Sequence, residues 1–142
     1  MFELTKRQFL KKSAKCMDEA GGVLLLLKEL IDQESQGKVS NQEASKKIDN
    51  IRKEIESIFY RVDGLNQPSS CDSLKQKILN ILIKMQEIVV SNSEYLTAVD
   101  GGLDELSQNK LDASRNQLEI FRKDFHGLTK TINIILTKKR KT

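Results

Sequence analysis

Apolar residues recur at steps of three and four positions along nearly the whole chain, and this periodicity restricts the fold more than any other feature. In its clearest stretch, Ile48, Ile51, Ile55, Ile58 and Val62 form a heptad series. Such steps place side chains on one face of an α-helix. Because the chain of 142 residues has only seven Gly and one Pro, it lacks the turn residues that an all-β fold needs. The pattern therefore predicts an all-α protein.

Turn-forming residues divide this periodic sequence into four helical segments. We predict helices at about residues 4–35, 41–63, 71–99 and 103–138, with a basic C-terminal tail at residues 138–142. The breaks between the helices contain four of the seven glycines and the only proline, Pro68. Ser40 followed by Glu43 is a capping-box pattern, which is typical of a helix N-terminus.

Two features interrupt the regular pattern inside the predicted helices. Gly21-Gly22 in the first helix predicts a kink, because each Gly costs about 1 kcal/mol relative to Ala in a helix interior. Asn92 occupies an apolar seam position of the third helix, between Ser91 and Ser93. Two interpretations of Asn92 stay open: a buried amide that fixes the register of the helices, or a local weakening of the helix.

Each predicted helix has an apolar stripe that another element must cover. Since short connections favour antiparallel neighbours, we predict an antiparallel up-down-up-down four-helix bundle with long, coiled-coil-like helices, forming a single domain over residues 1–142. The alternative is a helical hairpin that completes its core by dimerising. The fourth helix would reach roughly 54 Å and the second about 35 Å, so we expect the first and fourth helices to have uncovered ends. The third helix has two adjacent apolar rows and is expected to be the most buried.

Positive charge is concentrated at the two ends of the chain, whereas the middle is acidic. Residues 1–15 contain five bases and one acid, and residues 130–142 contain five bases and no acid. Residues 16–129 contain 14 bases and 19 acids. Both termini of an up-down-up-down bundle lie at the same pole, so the two ends would combine into one basic surface. The candidate residues for it are Lys6, Arg7, Lys11, Lys12, Lys15, Lys138, Lys139, Arg140 and Lys141.

Three interpretations of this basic surface stay open. The first is that its side chains are merely solvated, with the C-terminal bases complementing the dipole of the fourth helix. The second is binding of nucleic acid through phosphate contacts and base stacking. The third is binding of an anionic membrane through clustered bases beside an amphipathic helix. Phe2 and Phe9, the nearest aromatic residues, are both expected to face the core.

The sequence offers little material for catalysis. One His and two Cys are too few for a multi-His metal site or a disulfide framework. His126 is the single candidate for phosphoryl transfer, but Thr129-Lys130 follows Leu128 where histidine-phosphotransfer domains have Lys-Gly. We therefore predict that the protein is not an enzyme and has no catalytic residue, cofactor or metal site. Phosphotransfer through His126 is kept as a third and weaker hypothesis.

The longest apolar run, Val23 to Leu27, is far shorter than the roughly 20 residues of a membrane-spanning helix. Charged residues also interrupt the region where a secretory signal would have its apolar segment. These features predict a cytoplasmic protein in which Cys16 and Cys71 are reduced, with a disulfide between them as the alternative. In a eukaryotic host, Lys138 to Lys141 would also fit a nuclear-import signal.

The predicted function is protein–protein interaction without catalysis, as an adaptor, an assembly subunit or a chaperone-like protein. The partner would be another protein or a second copy of the chain, bound through helix-on-helix packing. The uncovered helix ends and the broad apolar face of the third helix are the candidate contact surfaces. Such binding requires a contiguous exposed apolar patch of at least several hundred Å². The alternative function is binding of nucleic acid or an anionic membrane through the basic pole.

Overall fold

The computed structural model describes residues 2–140, with side chains described as far as Lys138. The helices are α1 (Lys6–Ser35), α2 (Asn41–Asp63), α3 (Asp72–Asp100) and α4 (Asp104–Arg140). A short 3₁₀ turn at Ser69–Cys71 precedes α3, and no strand occurs within residues 2–140. The predicted all-α class is thereby confirmed. Within this part of the chain, no helix combines the length and apolar composition needed to cross a membrane.

The helices form one bundle in which each packs against its neighbours in sequence and α4 returns to α1. The Asn41 amide donates to Asp100 Oδ1 over 2.7 Å at one pole, and Leu4 N–H donates to the Asn66 carbonyl over 2.7 Å at the other. These contacts confirm the up-down-up-down topology and place the start of α1 beside the α2–α3 connection. Because four helices of one chain enclose the core, the hairpin alternative is wrong.

Within the described residues, the backbones of α1 and α3 approach each other across the centre of the bundle, whereas those of α2 and α4 stay apart. The cross-section is therefore a rhombus with α1 and α3 at its short diagonal. These two helices share the core: α1 has 12 buried residues and α3 has ten. The expectation that α3 is the most buried helix is wrong. Because α1 lies on the short diagonal, it contacts the other three helices, as α3 does.

The ends of the helices are fixed by local hydrogen bonds. Thr5 and Gln8 form a reciprocal capping box that starts α1 two residues later than predicted. At α2 the Ser40 hydroxyl accepts from Glu43 N–H over 3.2 Å, whereas the Glu43 carboxylate pairs with Lys47 at 3.5 Å. Only half of the predicted capping box therefore forms.

Helix α1 is continuous through Gly21-Gly22, the position of the predicted kink, so the pair does not end the helix. A methyl group on Gly21 would lie 3.7 Å from two ring atoms of Phe125 in α4, which is ordinary contact distance. Gly22, in contrast, is exposed and has open space around it. The helix holds because its apolar face is packed on both sides of the pair, and this packing outweighs the low helix propensity of glycine.

We expect Gly22→Ala to raise the free energy of unfolding by about 0.5–1 kcal/mol, because alanine is the better helix former and meets no neighbour there. Gly37→Ala is the opposite control. Gly37 ends α1 with a φ of +66°, and a Cβ in this left-handed region costs roughly 1–2 kcal/mol. Urea denaturation of the two variants measures both effects, and a destabilised Gly22→Ala protein would contradict the expectation.

Both cysteines are buried thiols that are not joined in a disulfide. Burial raises the pKa of the Cys16 thiol, an effect that the nearby Arg61 charge only partly opposes. The disulfide alternative between Cys16 and Cys71 is therefore wrong for this structure. A buried thiol with a raised pKa is a poor nucleophile.

Candidate functional site

A cleft of about 600 Å³ lies on the outer side of α3, between α2 and the start of α4. Its floor consists mainly of apolar or small side chains on α3, which are Val89, Val90, Ser93, Thr97 and Ala98. Arg52 and Glu56 of α2 form one wall, and residues of α4 form the other. Of the two apolar rows that form the predicted broad face of the third helix, only Val89 borders the cleft, whereas most of the others, such as Ile88 and Leu96, are buried in the core.

The apolar side chains around the cleft are substantially exposed. Val90 is 55% exposed, Leu103 54% and Leu106 44%, whereas Ala98 beneath them is buried. Gly102 has a φ of +69°, and Leu103 N–H donates to the Ala98 carbonyl over 2.9 Å, so the turn aims Leu103 at the floor. The structure thus leaves an apolar strip of three side chains, Val90, Leu103 and Leu106, open to solvent at the junction of α3 and α4.

The start of α4 is one of the uncovered helix ends that the sequence predicts. Every residue from Asp104 to Lys110 is at least partly exposed, and burial begins at Leu111. The prediction is wrong for α1, whose ends are covered: Phe9 and Leu10 are fully buried, and Glu34 is 7% exposed. The α2–α3 connection covers the start of α1 because it folds back onto residues 2–5 through Asn66.

Charged residues on the rim of the cleft are already paired with each other. Arg52 contacts Asp49 at 2.9 Å and Glu56 at 3.2 Å, and Lys110 pairs with Glu94. Gln86 also donates to the Arg52 carbonyl over 3.0 Å, which ties α2 to α3 at the end of the cleft. The cleft therefore offers an apolar strip between rims whose charges largely cancel. This arrangement suits an apolar surface with polar edges better than a charged small molecule.

The predicted basic surface is only partly within the described side chains. Lys6, Lys11, Lys12, Lys15 and Lys138 are exposed, and Arg7 is half-buried. Helix α4 continues to Arg140, so residues 138–140 extend the helix instead of starting a tail. The side chains of Lys139 and Arg140 and the whole of Lys141 lie outside the described part.

The bundle brings the two basic ends of the chain to one pole. Gly21 of α1 lies opposite Phe125 of α4, and Ile31 borders the same crevice as Leu118. This antiparallel register places Lys138 level with the first turns of α1. The exposed lysines of α1 and α4 at this pole form no ion pair with a described acid, whereas Arg61, in the last turn of α2 at the same pole, pairs with Glu19.

Phe2 departs from its predicted position in the core. Phe9 is fully buried, as expected, but Phe2 is 95% exposed. The Asn66 side-chain amide donates to the Phe2 carbonyl over 3.2 Å and holds the segment before α1 against the α2–α3 connection. The two Phe residues differ because Phe2 precedes the helix, so helical spacing does not determine where its ring points.

A buried polar pair joins α1 to α3 near the pole that contains the α3–α4 turn. Asn92 is fully buried and donates from Nδ2 to Glu34 Oε1 over 2.6 Å. Burial raises the pKa of Glu34 to about 7, and the hydrogen bond from Asn92 partly opposes the rise. Of the two interpretations of Asn92, the buried amide is the one observed. Sequence reasoning missed Glu34, because its position three residues after the apolar Ile31 places it on the apolar face of α1 but does not reveal its partner.

His126 lies on the exposed side of α4, next to Phe125, whose ring centroid is 6.1 Å from the imidazole. Thr129, Lys130 and Asn133 line the shallow groove beside it. Among the described residues, no three His, Cys, Asp or Glu side chains are arranged to hold a metal ion. Phosphotransfer through His126 stays a prediction that this geometry neither supports nor tests.

The chain matches no protein-family model, no curated protein and no solved structure. Its function is therefore inferred from its own surfaces. Two of these stand out from the rest of the bundle: the apolar cleft on α3 and the basic pole.

Proposed function

We propose that the chain is a non-enzymatic protein-binding module whose cleft on α3 receives an amphipathic helix of a partner protein. The exposed apolar strip of Val90, Leu103 and Leu106 is the observation that carries this proposal. Other exposed apolar residues, such as Leu25 and Ile120, line no comparably apolar cleft. Clustered apolar exposure with a polar rim is typical of protein-binding sites.

The dimensions of the cleft favour a helix as its occupant. Its floor runs from Gln86 to Ala98, which is about 18 Å of helix, or just over three turns, at the usual rise per residue. Two helices wall this floor, so a third would fill the space as helices pack in bundles. Anchoring side chains at positions i, i+4 and i+7 would meet Leu106, Val90 and the floor between them.

The proposal includes a cytoplasmic location, since two buried thiols without a disulfide suit a reducing compartment. Adaptor, assembly subunit and chaperone-like protein remain equivalent forms of the same activity. A second copy of this chain is the competing occupant, and the experiment distinguishes it from a partner protein.

A photo-crosslinking amino acid at Thr97, in the cleft, tests the proposal in the intact chain expressed in its own cells. The matched control is the same amino acid at Ser57, an exposed position of α2 outside the cleft. We expect Thr97 to form an adduct that mass spectrometry maps to one amphipathic helical segment of one partner. Adding Leu106→Asp should abolish the adduct, whereas adding Leu25→Asp should not.

Three results would contradict this proposal. One is the absence of a Thr97 adduct, and another is the same adduct from Ser57. The third is an adduct of two copies of the chain, accompanied by a dimer in light scattering that Leu106→Asp dissociates. That last result would make the cleft a self-association surface.

A further inference from the structure

A second surface, here called the terminal face, lies at the opposite pole from the turn that leads into the cleft. It is formed by two stripes on neighbouring antiparallel helices. The stripes are Arg7, Lys11 and Lys15 on α1 and Lys130, Ile134 and Lys138 on α4, and Phe2, which precedes α1 at the same pole, is included with them. On α1 the bases follow one another at steps of four, and on α4 Lys130, Ile134 and Lys138 do the same, so each stripe occupies one side of its helix.

The two stripes of the terminal face contain bases but no acid, and the nearest acids on the other helices at this pole are Asp63 and Asp72. Between Glu3 and Asp18 the sequence contains no acid, and none follows Asp124. Lys11, Lys15, Lys130 and Lys138 are exposed and make no ion pair with a described residue. By contrast, most bases along α2 pair with acids one turn away, such as Arg52 with Glu56 at 3.2 Å. The field of the terminal face is therefore available to an external anion.

Two exposed apolar side chains lie at the same pole as these bases. Phe2 is 95% exposed on a segment that Asn66 holds in place through the Phe2 carbonyl. Ile134 is 44% exposed between Lys130 and Lys138. A ligand that offers only phosphates would interact favourably with the lysines but not with an aliphatic side chain between them. A lipid surface interacts favourably with the bases and with the apolar side chains, because the apolar side chains enter the acyl boundary while the bases stay among the headgroups.

We propose that the terminal face attaches the protein to an anionic phospholipid surface. Its lysines and Arg7 contact headgroup phosphates, and Phe2 and Ile134 enter the interface. Nucleic acid is the less suited polyanion, because sequence-tolerant binding of single strands uses several stacking aromatics and this face has only Phe2. Attachment at this pole would leave the cleft on α3 directed away from the membrane. The proposal does not depend on the cleft having a partner.

Co-sedimentation of the intact protein with vesicles tests this inference. The vesicles contain phosphatidylcholine alone or with added phosphatidylserine. We expect binding only to the anionic vesicles, with affinity that falls as salt is raised. Changing Lys11, Lys130 and Lys138 to Ala should weaken binding roughly 100-fold, since each base near the surface contributes substantially.

Two further variants separate lipid binding from simple charge attraction. The control changes Lys38, Lys46 and Lys53 to Ala, which removes the same charge from exposed positions away from the face and should leave most of the binding. Phe2→Ser with Ile134→Ser keeps the charge and should weaken binding several-fold. Circular dichroism of each variant is the control for folding.

Several outcomes would overturn the proposal. These are no preference for anionic vesicles, equal loss from the two lysine triples, or no effect of Phe2→Ser with Ile134→Ser. Tighter binding to a duplex or single-stranded oligonucleotide, lost in the Lys11, Lys130 and Lys138 triple, would assign the face to nucleic acid instead.

Discussion

The free energy of unfolding should fall by roughly 3 kcal/mol as pH rises from 4.5 to 7, and Glu34→Gln should remove that fall. Glu34 is buried in the folded protein, where its pKa rises to about 7 from an ordinary 4.5. Between these values the folded state keeps a proton that the unfolded state has lost. Stability therefore decreases with rising pH in this window and levels off above the folded pKa.

The atoms around Glu34 explain why the protonated form is favoured. Asn92 Nδ2 donates to Oε1, but Oε2 of Glu34 and Oδ1 of Asn92 are both buried without a hydrogen-bond partner among the described residues. Both atoms are acceptors, so the pair lacks a donor that a proton on Glu34 would supply. Tyr95, on the same face of α3 as Asn92, does not supply a countercharge. Its own pKa is raised, first by burial and then by the Glu34 charge.

Urea denaturation across this pH range gives the test, with the difference between wild type and Glu34→Gln as the readout. Glu29→Gln is the matched control, because Glu29 is an exposed carboxyl on the same helix. We expect the control to follow the wild-type profile. If Glu34→Gln and wild type lose stability in parallel as pH rises, the buried carboxyl is not the group responsible.

Phe125→Ala should lower the free energy of unfolding by about 3–5 kcal/mol, the usual cost of emptying a buried aromatic site. Phe125 is 4% exposed, and its ring lies against Gly21 of α1. The ring also makes a tilted pair with Phe121, with centroids 5.8 Å apart. Because α1 approaches the ring at Gly21, the residue opposite Phe125 has no side chain to fill the space.

Ile120→Ala on the same helix is the matched control for this loss. Ile120 is 66% exposed, and surface substitutions of this kind usually change stability by no more than about 0.5 kcal/mol. Chemical denaturation of both variants gives the comparison. Similar losses from Phe125→Ala and Ile120→Ala would contradict the packing of α4 on α1.

Periodicity predicts the helices of this fold well, because an apolar stripe at helical spacing marks both a helix and the face that it buries against another helix. Every residue of the series Ile48 to Val62 is buried, with exposures of 5% or less. The bounds of α2 match the prediction, since Ser40 and Gly64 are local end signals. The start of α1 was misplaced because the capping pair of Thr5 and Gln8 was not recognised.

Features that depend on contacts between distant segments could not be predicted. The burial of Glu34 requires Asn92, 58 residues later in the chain. The cleft exists because α4 begins over the end of α3 while α2 stays on the other side, and no heptad pattern specifies that offset. The two basic ends lie at the same pole only if the number of antiparallel helices is even, and the structure has four. The vesicle experiment measures whether the terminal face, which includes Lys130 and Ile134, binds an anionic surface.

The role of the cleft is tested most directly by titrating the partner segment identified from the Thr97 adduct, as a synthetic peptide, into the purified protein. Isothermal calorimetry compares wild type, Leu106→Asp in the cleft and Leu25→Asp on the exposed side of α1. We expect Leu106→Asp to weaken binding at least about tenfold, or roughly 1.4 kcal/mol, and Leu25→Asp to bind as wild type. Equal affinity for wild type and Leu106→Asp would contradict the assignment of the cleft as the binding site.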